Sequence, residues 1–166
     1  MKLIAAVMGR DLHTIESARA MVSERFGRID SVSEAYPFTF SDYYRDEMGD
    51  GLVKQFISFE ALIDPAQLAD VKLKSNEIEQ VMPRPDGRAG RAINIDPGYL
   101  TGAKLILATT KDYSHRIYVG QGIYAEVTLQ FRHGTFRPFE WTYPDYRTPM
   151  ALAYFSQVRT RYLQRR

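Results

Sequence analysis

The sequence predicts an α+β domain that begins as a ferredoxin-like β-α-β-β-α-β unit and continues into an extended, mostly antiparallel sheet, a β-meander and a C-terminal helix. Three observations carry that expectation. Residues 2–8, KLIAAVM, form a continuous apolar run followed by a capped stripe of helical period. Strand-like and helix-like patterns then alternate as far as Ile95. Beyond His115, short segments of period two are separated by glycine turns, and a last segment of period 3.6 closes the chain.

Each element has a local cause. The run at 2–8 continues unbroken to Gly9, as a buried strand does. Asp11 is placed to cap a helix whose stripe is Ile15, Ala18, Val22 and Phe26, and Gly27 supplies its stop. Residues 29–40 are extended and aromatic, broken by Pro37; residues 41–50, SDYYRDEMGD, are turn-like with room for one helical turn. Residues 52–59 alternate, with Val53, Ile57 and Phe59 on one side. Asp64-Pro65 opens a second helix, because Asp caps and Pro at the first helical position gives up no needed N–H. Leu68, Val71, Ile78 and Met82 make its apolar face and Pro83 ends it. Residues 83–91, PRPDGRAGR, read as a loop, residues 92–95 as a short strand, Asp96-Pro97-Gly98 as a turn, and residues 104–110, KLILATT, as a buried strand.

The next segment is the most legible. Ile123, Ala125, Val127, Leu129 and Phe131 alternate with Tyr124, Glu126, Thr128 and Gln130, giving a half-buried strand with a polar face. A loop of Gly120-Gln121-Gly122 sets Val119 opposite Ile123, Ile117 opposite Ala125, Tyr118 opposite Tyr124 and Arg116 opposite Glu126. A slip by one residue would set apolar against polar, so the pattern selects this register. His133-Gly134 makes a second tight turn that brings Phe136 opposite Phe131. Thr148-Pro149 repeats the cap-plus-proline start, and Leu152, Phe155, Val158 and Tyr162 line the buried side of a terminal helix.

Composition bounds the function classes. With 166 residues, 45% apolar and 25% charged, the chain is one globular domain spanning 1–166. It has no cysteine, which excludes a disulfide framework, a thiol nucleophile and every cysteine-based zinc site, and which fits a reducing cytoplasm. The opening apolar run is too short for a signal-peptide core or a membrane span, so neither targeting nor membrane insertion is expected. Charge is unevenly spread: residues 1–83 hold 9 Lys/Arg against 14 Asp/Glu, and residues 84–166 hold 13 against 6. Either the basic half meets an anionic ligand through its arginines, or the two halves face each other within one fold.

The segments NIDPGYLT, KLILATTKDYSHRIYVGQGIYAEVTL and WTYPDYR, with YPFTFSDYY, GLVKQFISFE and LIDPAQL nearer the start, resemble the bacterial domain of unknown function family 4416 over nearly the whole chain. The resemblance brings no established activity. Some members carry a GTP-binding label, yet the phosphate-cradling pattern GxxxxGK[ST] is missing here; Gly49-Asp50-Gly51 with Lys54 has the wrong order and spacing.

Lys111, Asp112, His115 and Arg116 form the densest polar cluster, at the entry to a strand. Lys111 and Arg116 suit a phosphate or carboxylate, and His115 with Asp112 suits proton transfer. Arg116 equally suits a cross-strand ion pair with Glu126, and His115 a core-edge position with one hydrogen bond. Tyr124, Glu126 and Thr128 on the polar face, with Asp96, Tyr143 and Asp145, complete the candidate ligand-binding set. Trp141, Tyr143 and Tyr146 either stack on a ring or cover the sheet. His13, His115 and His133 lack metal-ligand spacing, so no metal residues are assigned, and the sequence leaves the cofactor unknown. The expectation is a domain that binds a phosphorylated or carboxylated small molecule, a nucleotide among them, with acid–base catalysis as a further step. The alternatives are an RNA-binding module using Arg84, Arg88 and Arg91 with the arginines at 159, 161, 165 and 166, or a non-catalytic protein-interaction subunit.

Overall fold

The computed structural model describes residues 1–84, 87 and 89–165. The central strand β1 (Lys2–Gly9) is buried along its whole length. It pairs antiparallel with β4 (Val53–Leu62) on one side and β5 (Ile93–Leu100) on the other, and β2 (Ile29–Val32) pairs with the far edge of β4. The order β2-β4-β1-β5 is the ferredoxin-like arrangement expected from the element order. The sheet then extends through β6 (Lys104–Thr109) and β8 (Ile123–Arg132) to β7 (Ile117–Gly120). A two-residue β3 (Tyr36–Pro37) adds to β4, and β9 (Thr135–Pro138) adds to β8.

Helices cover both faces. On one side, α1 (Leu12–Phe26) and α3 (Leu68–Val81) press Ile15, Val22, Val71 and Ile78 onto Leu3, Val7, Ile57 and Ile95. On the other, α4 (Pro149–Gln164) seats Phe155, Val158 and Tyr162 on Ile4, Phe56, Leu105 and Leu129. The starts follow the sequence signals. Asp11 accepts the Thr14 N–H, Thr148 accepts the Ala151 N–H, and Asp64 forms a reciprocal capping box with Gln67 through a short 3₁₀ turn before α3. The single helical turn expected in 41–50 is α2 (Arg45–Met48).

Three local expectations are corrected. Asp96-Pro97-Gly98 is not a turn but the middle of β5, paired with Ala6, Ala5 and Ile4. Strand β6 joins β5 only from Gly98 onward, so Pro97 sits where one side of β5 is open and a missing N–H interrupts no ladder. Gly98 is there for proximity: a Cβ would overlap the Ile106 carbonyl oxygen of β6. In the β7–β8 hairpin, Ile117 faces Ala125 and Tyr118 faces Tyr124 as expected, but Gly120 takes the place of Val119 opposite Ile123. Gln121 and Gly122 both adopt positive φ, which makes a two-residue turn and leaves Val119 as the extra residue of a bulge. Ile117 and Val119 are exposed on this edge strand, at 71% and 41%.

Finally, β8 does not keep one apolar face. A register shift opposite Leu105 and Ile106 makes Thr128 an extra residue. Ile123, Ala125 and Val127 therefore pack toward α3, whereas Leu129 and Phe131 pack with the α4 side.

The uneven charge of the chain is partly resolved inside the fold. Arg91 pairs with Glu47 and Glu79, and Arg165 lies 3.6 Å from both Asp30 and Glu60, so basic residues of the second half meet acids of the first.

Candidate functional site

The sheet opens between β5 and β6. The two strands pair only over Gly98–Leu107 to Leu100–Leu105, and toward Ile95 and Thr109 they part while β6 stays with β8. A cleft of about 670 Å³ occupies the opening. Asn94 and Asp96 of β5 and Lys54 of β4 face into it, α3 brings Lys72, Asn76 and Glu79, and the segment after β6 brings Thr110, Lys111 and Arg116. Tyr143 and Asp145 and the aromatic stretch Phe38 to Tyr44 complete the lining.

The parting of the strands leaves backbone groups of β5 without a partner strand, and α3 supplies one. Glu79 Oε1 accepts the Ile95 N–H at 2.6 Å, and Lys72 Nζ donates to the Ile95 carbonyl at 2.8 Å. Both side chains are buried, and such placement is tolerated only where the charge is paired and hydrogen-bonded. Arg91 meets that need for Glu79 with a 3.0 Å bond, while its other guanidinium nitrogens hold Glu47 bidentately at 2.7 and 2.8 Å. Burial nevertheless pushes the Glu79 carboxyl above the ordinary glutamate range, against the opposing pull of Lys72, the Ile95 N–H and Arg91.

A second buried pair joins β4 to the segment at 143–145. Lys54 Nζ is 2.7 Å from Asp145 Oδ2, with relative side-chain exposures of 6% and 2%, and the Tyr36 hydroxyl donates to the same oxygen at 3.0 Å. Burial together with the charge of Asp145 raises the Tyr36 hydroxyl far above its usual value, and burial with Asp96 nearby does the same to Tyr44.

A third hub is Glu126, which is buried on β8. Arg116 Nε donates to its Oε2 at 2.8 Å, which is the cross-strand pair expected from the register, and His115 Nε2 lies 3.2 Å from the same oxygen. Arg116 also donates to the Lys111 carbonyl and to the Tyr143 hydroxyl, so one guanidinium ties the 111–116 segment to β8 and to the 143–145 wall. The His115 ring stacks on Trp141 at 5.1 Å, Trp141 stacks on Phe139, and the indole N–H donates to the Val127 carbonyl. Trp141 therefore covers the sheet.

Of the residues singled out by sequence, Lys111, Arg116, Asp96, Tyr143 and Asp145 come together around the cleft. His115, Tyr124, Glu126 and Thr128 stand behind it and do not line it. Asp112 is exposed and makes no bond with His115. Sequence reasoning missed Lys54, Lys72 and Glu79, and assigned Arg91 to RNA where it instead pairs with Glu47 and Glu79. The signal for two of them was present: Lys72, Ser75 and Glu79 recur at helical spacing beside the apolar face of α3, a polar stripe on a side that is buried. Among the described residues no group of three His, Asp or Glu could hold a metal ion. No helix among them is long and apolar enough to cross a membrane.

The arginines assigned to RNA are engaged within the fold. Arg84 is buried and donates to the Glu47 carbonyl, Arg159 donates to the Gly102 carbonyl, and Arg161 and Arg165 donate to carbonyls of Asp30 and Glu60. Arg88 and Arg166 lie outside the described residues.

Compared with known proteins, residues 1–162 match the family model described as Domain of unknown function (DUF4416). No curated protein and no solved structure matches the chain.

Proposed function

The chain belongs to the DUF4416 family, and from the chemistry of its cleft we propose that it is a small-molecule domain that binds a phosphorylated or carboxylated ligand between β5 and β6. Among the described lining residues are five cations, and four of them pair with carboxylates: Lys54 with Asp145, Lys72 with Asp96, Arg91 with Glu47 and Glu79, and Arg116 with Glu126. One observation carries the reading: among the described residues, Lys111 is the lining cation with no carboxylate partner. Its Nζ is held by the Tyr43 hydroxyl at 2.6 Å and sits 3.9 Å over the Tyr43 ring, at the exposed rim. An ammonium fixed in place at the mouth of a concave site suits an anion. Nucleotides belong to the ligand class because the walls also offer Tyr44, Tyr113 and Tyr143 as ring surfaces. A reducing cytoplasmic setting fits the absence of cysteine.

Acid–base chemistry by His115 and Asp112 draws less support, since neither lines the cleft. RNA binding draws less support too, because the described arginines proposed for it bond within the fold. The protein-interaction reading rests on Ile117, Tyr118 and Val119, exposed on an edge strand.

A thermal-shift and calorimetric screen of nucleotides, sugar phosphates and dicarboxylates tests the proposal. Stabilisation of the wild type by at least one anion is expected, with affinity lowered about tenfold or more by Lys111→Ala, the loss of roughly one charge-assisted hydrogen bond. No stabilisation by any of them would remove the reading.

A further inference from the structure

The carboxylates of the same cleft differ in how open they are to a ligand. Glu79 accepts from the Ile95 N–H and Arg91 and Asp145 from Lys54 and Tyr36, and both side chains are buried, at 5% and 2% exposure. Asp96 differs. Its Oδ2 accepts a single bond from Asn94 Nδ2 at 2.8 Å, while Oδ1 faces Lys72 Nζ at 3.7 Å, beyond hydrogen-bond length, because Lys72 spends its short contact on the Ile95 carbonyl. The Asp96 side chain is 29% exposed and lines the cleft floor. An ionised carboxylate has about four acceptor positions, and Asn94 takes one, so Asp96 retains room for the two donors of a diol.

Resting on the anion-binding reading above, we infer that Asp96 is the specificity residue of the cleft and that the ligand is a phosphate monoester carrying vicinal hydroxyl groups, with its phosphate at Lys111 and its hydroxyls donating to Asp96. Two physical points select this class. Lys72 already lies beside Asp96, so a ligand ammonium there would set two cations side by side, whereas neutral O–H donors meet no such repulsion. A phosphate monoester brings a charge of about −1.5 to −2 near neutral pH, which suits the ammonium of Lys111 that no carboxylate among the described residues pairs. Sugar phosphates and nucleotides share this chemistry, and the tyrosines of the walls accept either a sugar face or a base.

Calorimetric titration with ribose 5-phosphate, adenosine 5′-monophosphate and n-pentyl phosphate tests the inference. The wild type is expected to hold at least one hydroxylated ester about tenfold or more tighter than pentyl phosphate, which has the same anion and no hydroxyls. Asp96→Ala is expected to bring the hydroxylated esters down to the pentyl phosphate level and leave pentyl phosphate unchanged. Asp96→Asn, which keeps the shape and one acceptor oxygen, falls between. Lys111→Ala weakens all three. Comparable affinity for ribose 5-phosphate and adenosine 5′-monophosphate assigns the site to sugar phosphates, and a clear preference for the second assigns it to nucleotides; both support the inference. Equal binding of all three by the wild type, or a preference that survives both Asp96 variants, overturns the role of Asp96 while leaving an anion site. Binding of none overturns the inference, and the anion reading falls as well only if the wider panel of anions also fails.

Discussion

Glu79 serves Ile95 as a strand partner would: the helix carboxylate accepts, at 2.6 Å, the N–H that β6 would have accepted had it continued alongside β5. With Lys72 on the Ile95 carbonyl, two side chains of α3 satisfy the open edge of β5, and the cleft exists because they do. A sheet edge at this depth needs partners for its backbone groups.

The elevated Glu79 carboxyl gives a pH prediction. A folded-state pKa above the unfolded value favours the protonated form in the folded protein, so this contribution to stability is full below the ordinary glutamate range and is lost as pH rises through the folded value. Urea unfolding of wild type and Glu79→Gln from pH 4 to pH 7 is expected to show a stability gap that narrows as pH rises. A gap that widens would mean that Arg91 and Lys72 outweigh burial.

Lys54 and Asp145 are paired out of water. Lys54→Met leaves a buried carboxylate with only the Tyr36 hydroxyl, and is expected to cost about 3–5 kcal/mol. Lys54→Met with Asp145→Asn removes both charges and should recover much of that loss, as read from the urea midpoints of the two variants.

Arg116 makes three bonds in three directions, to Glu126, the Lys111 carbonyl and the Tyr143 hydroxyl. Arg116→Lys keeps the charge but lacks the planar fork, so it is expected to lose about 1.5–3 kcal/mol of stability. A variant as stable as wild type would mean that one charge contact is all the position requires.

Gly98 and Pro97 make opposite demands. Gly98→Ala drives a methyl into the Ile106 carbonyl and is expected to cost about 1–3 kcal/mol or more. Pro97→Ala restores an N–H at the open side of β5 and is expected to cost less than about 1 kcal/mol. Thermal unfolding of the two variants separates a strand at 96–98 from a turn, where Pro97 would matter more.

What the sequence determined by itself were the elements whose causes are local. The buried run of β1, the caps at Asp11, Asp64 and Thr148, and the pairings of Ile117 with Ala125 and Phe131 with Phe136 follow from neighbours a few residues away, so periodicity and turn chemistry suffice to read them. Lys111, Arg116, Asp96, Tyr143 and Asp145 were likewise visible as polar residues in a recognisable stretch. Only the tertiary structure decided what those residues surround. The Asp-Pro-Gly tripeptide reads as a turn on its own and becomes a strand because β1 pairs with it along its whole length and β6 approaches Gly98. The bulge at Thr128 turns Leu129 to the opposite face, a shift no alternating pattern announces. Glu79 and Lys72 matter because β6 leaves β5 at Gly98, and the place where two strands part is set by long-range pairing rather than by any residue's own preference.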